Sequence, residues 1–250
     1  MPNIIERSNP LTKLWLVGTL TLIGLVFFVY YTDWVPWLRF PFAYLILLTL
    51  YYLFHLTMRL YAIGTGRIST AAFLTGVFFI IGGAAFDMIV TVMKSPSLDR
   101  EANPVARALL DSGQTLPFVY GYGVTAQFLL VSVTCLMWAA FLRHRAEMVA
   151  SAKNIARSWF DFIKAMTGGG HLSWRQYFLP LKFSELPSAY HVFWVFVVMW
   201  VAFTPTRFYY GLEWLGILPG LRLQVLAIWS ILMGAGYFLW LWLEYRRASQ

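Results

Sequence analysis

Asp87 and Thr91 stand four residues apart near the end of a long apolar run, and the polar stretch that follows supplies Asp99, Glu101 and Asn103. If the run is helical, Asp87 and Thr91 share one face, and the loop can fold back over them. Such hard oxygen donors suit calcium or magnesium, with Asp87 and Glu101 as the metal ligands. The same two carboxyls could share a proton or polarise a water. Arg207 is the cation placed to face them, so the ligand-binding set is Asp87, Thr91, Glu101, Asn103 and Arg207. A carboxylate in hydrocarbon costs at least about 2.5 kcal/mol, so Asp87 needs a partner whatever its role. The structural alternative is that Asp87 pairs with Arg207 to hold two helices together, while Asn103 caps a helix.

The four histidines form a second constellation. His55 and His191 could ligate a b-type haem between two helices, which would make the chain an electron-transfer subunit. None of His55, His144, His171 and His191 shows the close spacing of a metal motif, and interfacial or capping roles account for them with less. The single cysteine, Cys135, lies in an apolar run and reads as core packing; one thiol excludes an intramolecular disulfide framework. The sequence lacks a Walker A loop, G-x-S-x-G, H-E-x-x-H and a dinucleotide fingerprint, which removes support for ATPase, serine hydrolase and zincin chemistry.

The elements that must position these residues are set by composition. Of 250 residues 60% are hydrophobic and 12% charged, with mean hydropathy +0.64. Soluble domains average roughly 25% charged, so this chain needs lipid as its solvent. Its apolar runs reach the roughly 20 residues that cross a bilayer core. The expected fold is an all-α polytopic transmembrane bundle, one membrane domain with six spans at about 14–31, 40–61, 68–93, 117–142, 190–210 and 223–242. The N-terminal run has no small-residue cleavage site and reads as a retained span. Gly82-Gly83-Ala84-Ala85 offers a close-packing face just before Asp87. Asn103-Pro104 is a helix start, and Val105 to Asp111 a short surface helix ended at Gly113.

Orientation follows from the net charge of +8, carried mainly beside the apolar runs. The 143–187 segment and the C-terminal tail are strongly basic, whereas the 94–116 loop is nearly balanced. Both termini and the basic segment therefore belong in the cytoplasm of a prokaryote, with Asp87, Glu101 and Arg207 near the outer face. Met148, Ile155, Trp159 and Phe162 fall roughly on one side of the basic segment, the pattern of an amphipathic helix lying on anionic lipid. Positive-inside bias explains the basic excess without nucleic acid. Membrane lipids, and other subunits of a membrane complex, are the expected partners.

The order Asp87-x-x-x-Thr91, a short loop, then Glu101-x-Asn103-Pro104 resembles a group of small uncharacterised bacterial and archaeal membrane proteins, domains of unknown function. The likeness covers about Phe86 to Leu110 and implies a membrane domain without an assigned activity or cofactor. The functional expectation is a non-enzymatic membrane component, a binding or assembly subunit with an acidic polar or cation site at its outer face. Two other classes stay open: an enzyme acting on a lipid-linked substrate at the outer leaflet, with Asp87 or Glu101 as base, and the haem-binding electron-transfer subunit.

Overall fold

The computed structural model describes residues 10–31, 36–99, 103–155, 158–166 and 206–218, with residues 224, 227–228, 231–232, 235–236, 239 and 242–246 of the C-terminal stretch. Glu101, His171, His191 and most of the expected fifth span lie outside these residues.

The described chain is all-helical. Helix α1 spans Pro10–Tyr31, α2 Arg39–Ile63, α3 Thr70–Lys94, α4 Pro104–Asp111, α5 Leu116–Ile155 and α6 Trp159–Met166. Residues 206–214 form a further helical stretch. Among them α2, α3 and α5 are long and apolar enough to cross a membrane, and the apolar stretch Lys13–Val29 of α1 is shorter. Their outward faces confirm the solvent they need: Phe78 and Phe128 are each 70% exposed and Met93 69%. A water-soluble surface rarely gathers so much apolar area.

Two packed clusters hold the bundle. One joins Trp15 of α1 to Leu53, Leu56 and Leu60 of α2 and to Val133 and Met137 of α5. The buried Trp15 indole donates to the Thr57 hydroxyl at 2.6 Å, which in turn donates to the Leu53 carbonyl. Both polar groups are thereby satisfied inside the bundle, where water cannot serve them. The other cluster packs Val105, Ala108 and Leu109 of α4 against Val29, Ala43 and Ile46, and on to Val119. Helix α4 begins as expected, with Asn103 accepting from the Val105 amide at 3.0 Å and Pro104 in the first turn. It is not a free surface helix, since Leu109 is fully buried and closes one end of α1 and α2.

Beyond Leu142 the chain departs from the expected break. Helix α5 runs on for 40 residues to Ile155, about 60 Å at 1.5 Å per residue and twice a hydrocarbon core of about 30 Å. Arg143 to Lys153 thus continue the same helix. Helix α6 then turns its apolar side onto protein: Phe162 is 1% exposed, and Trp159 and Phe162 meet the Tyr245 ring at 5.6 and 5.5 Å.

Candidate functional site

The Asp87 site is built where residues 206–214 cross the end of α3. Small residues make the approach possible. Gly83 and Ala84 are buried, the Phe208 ring lies 3.7 Å from where a Gly82 Cβ would stand, and Phe86 stacks on Phe208 with centroids 6.0 Å apart. A Cβ on Gly211 would run into the Phe86 ring. The crossing brings the Arg207 guanidinium onto Asp87, donating from Nη1 to Oδ2 at 2.5 Å. The two side chains are 26% and 14% exposed, so both charges are largely withdrawn from solvent and satisfied by each other.

The remaining members of the expected set divide into two groups. Thr91 follows Asp87 by one turn of α3, about 6 Å along the axis. Asp99 and Asn103 belong to a separate polar knot in the loop. Asp99 accepts from the hydroxyls of Ser95 at 2.7 Å and Ser97 at 3.0 Å, and its own carbonyl accepts from Arg107 at 2.9 Å. The Tyr120 hydroxyl fastens the same loop through the Pro96 carbonyl at 2.7 Å. Within the knot Leu98 takes a left-handed φ of 55°, a costly conformation for a branched side chain, and is held there by burial of that side chain in the α4 cluster. Ser95 begins the knot about 12 Å along α3 from Asp87, so the loop carboxylate serves the turn. Asn103 spends its side-chain oxygen on the α4 cap.

No three of His, Cys, Asp and Glu converge to hold a metal among the described residues. Glu101, the second carboxyl of the cation reading, is not among them. Of the histidines, His55 is exposed on α2, edge-on to Tyr51 at 4.5 Å. Its haem partner His191 lies outside the described chain. His144 has a capping role: at the end of α2 the Gly64 amide turns back to Tyr61, and His144 Nε2 lies 3.2 Å from the Leu60 carbonyl. A carbonyl can only accept, so Nε2 carries the proton in this contact.

Sequence reasoning passed over three polar features. Arg39, whose side chain is 8% exposed, meets Asp111 at 3.3 Å and ties α2 to α4. The Tyr122 hydroxyl donates to the Ala43 carbonyl at 2.9 Å, joining α5 to α2. At the opposite end of the bundle Arg145 donates to Glu244 at 2.6 Å. The signal for this last pair was present, since Glu244 is the lone acid in a basic tail and Arg145 lies beside another span end.

Comparison with known proteins adds no kinship: no family model, no curated protein and no solved structure matches the chain.

Proposed function

We propose that this chain is a non-enzymatic integral membrane protein, a binding or assembly subunit of a membrane complex, working through the polar site at the outer end of α3. The observation that carries the reading is the Asp87–Arg207 ion pair, two charges set in an apolar helix crossing and joined through a contact of 2.5 Å. An intramembrane ionisable residue marks function by default, because its cost must be recovered somewhere. Here the pair fixes the position of 206–214 against α3 and keeps a partly exposed polar edge that a ligand or neighbouring subunit can engage. In this reading the bundle has six spans, with both termini and the Arg143–Lys153 end in the cytoplasm of a prokaryotic inner membrane. The sidedness rests on the positive-inside bias.

The test is recovery of partners and ligands from native membrane with a tagged full-length chain. Asp87→Asn and Arg207→Gln are each expected to lose the associated component while the protein still inserts. The charge-swapped Asp87→Arg/Arg207→Asp protein is expected to recover fold stability without recovering the partner. Unchanged recovery and unchanged thermal stability in both single variants would sink the reading.

A further inference from the structure

At the end of the bundle opposite Asp87, the turn before α3, the extension of α5 and the C-terminal stretch enclose a cleft of about 420 Å³. Its polar lining is Arg67, Ser69, Arg145, Lys153 and Glu244; Leu142, Val149 and Ala72 form an apolar wall. Three cations against one carboxylate leave a net charge of +2 within it. Glu244 is buried and takes Arg145, which orients that guanidinium along the wall. Arg67 and Lys153 are exposed, and among the described residues neither has a carboxylate partner. Helix α3 also starts here, capped by Ser69 and with no acidic residue in its first turn, so its positive end adds to the same field.

Depth narrows the chemistry. From Leu116 to Arg145 α5 already spans about 44 Å, the thickness of a bilayer with its headgroups, and Lys153 stands about 12 Å further along the helix, so the cleft opens at the headgroup level and reaches beyond it. We infer that this cleft is a binding site for a phosphate-bearing anion, with Arg67 and Lys153 as its principal ligands and the Leu142–Val149 wall receiving whatever apolar group the phosphate carries. A phosphomonoester carries a charge of about −1.5 to −2 at neutral pH, which matches the excess in the cleft. Arginine contributes a planar fork of donors and lysine a mobile point charge, two complementary ways of holding phosphate oxygens. The cleft lies at the other end of the bundle from Asp87, so the inference stands independently of the outer-face reading.

Three probes decide it on the purified full-length chain in detergent: dihexanoyl phosphatidic acid, dihexanoylglycerol and inorganic phosphate, each followed by thermal melting and titration calorimetry. Phosphatidic acid is expected to bind and raise the melting temperature, and dihexanoylglycerol to do neither. Arg67→Ala/Lys153→Ala should bind about tenfold more weakly or worse, the scale of losing charge-assisted hydrogen bonds, while Arg67→Lys/Lys153→Arg retains binding. Binding of inorganic phosphate with the same dependence on Arg67 and Lys153 identifies a soluble source of the anion. Binding of the lipid alone identifies a headgroup. The inference is overturned if neither phosphate probe binds, if dihexanoylglycerol binds as well as phosphatidic acid, or if the double alanine variant binds as the parent does. It is equally overturned if Lys13→Ala/Arg246→Ala, which removes two charges outside the cleft, weakens binding as much.

Discussion

At the scale of single residues, Asp87 and Arg207 stabilise each other only as long as both are present. Arg207→Gln strands a carboxylate whose side chain is 14% exposed, and thermal melting should register a loss of about 3 kcal/mol, the low end for breaking a buried pair because part of Arg207 stays wet. Asp87→Asn/Arg207→Gln should lose less than the two single changes together, which a double-mutant cycle measures directly. Equal and additive losses would mean that the contact carries no coupling. Asn103→Ala tests the loop in the same way: its oxygen serves one amide of α4, so the expected loss is about 1 kcal/mol, with ligand or partner recovery unaffected. This division of labour was only half legible beforehand. The Asp87–Arg207 pair could be read from charge complementarity alone, since a lone intramembrane carboxylate has few cations within reach. That Asp99 turns inward to Ser95 and Ser97 could not, because it depends on the left-handed turn at Leu98, which no periodicity announces.

At the scale of elements, close approach of α3 and α5 depends on Gly76. A Cβ there would overlap the Trp138 indole, whose Nε1 donates to the Ala72 carbonyl at 3.1 Å. Gly76→Val is therefore expected to displace Trp138, break that bond and cost about 1–3 kcal/mol, the usual scale of overpacking; a changed tryptophan emission spectrum together with a lower melting temperature checks it. Gly64 works similarly at the α2 end, where a Cβ would stand 2.8 Å from the Arg143 Cβ. Helices α1, α2, α3 and the start of α5 were readable from apolar runs, and these ends fall within four residues of those expected. The length of α5 was not. Arg143 and Arg145 end the apolar run and look like a stop, yet Arg, Ala, Glu, Met and Lys are all good helix formers, so the helix continues past the apolar run without ending. The cleft at Arg67 was invisible for the same reason, because it exists only if α5 continues far enough for Lys153 to face the turn before α3.

At the scale of the whole molecule, the two polar centres mark opposite ends of one bundle, and their separation fixes what each can meet. Ser97 follows α3 and Lys153 stands near the far end of α5, so a single crossing by α5 lies between them. On the proposed topology the Lys153 end faces the cytoplasm, the side that positive-inside bias favours. Two further spans would return the chain to that side at Arg246. The prediction is read with a membrane-impermeant thiol reagent on intact cells, starting from Cys135→Ser to remove the one native thiol. Ser97→Cys should label from outside, whereas Lys153→Cys and Arg246→Cys should label only after the membrane is opened. Labelling of Ser97→Cys and Lys153→Cys from the same side would mean that α5 does not cross, despite its apolar core and its length. Labelling of Lys153→Cys and Arg246→Cys from opposite sides would leave an odd number of crossings between them. The Arg145–Glu244 contact cannot form across a bilayer, so the 2.6 Å approach of those two side chains makes the second outcome the more demanding test of the architecture.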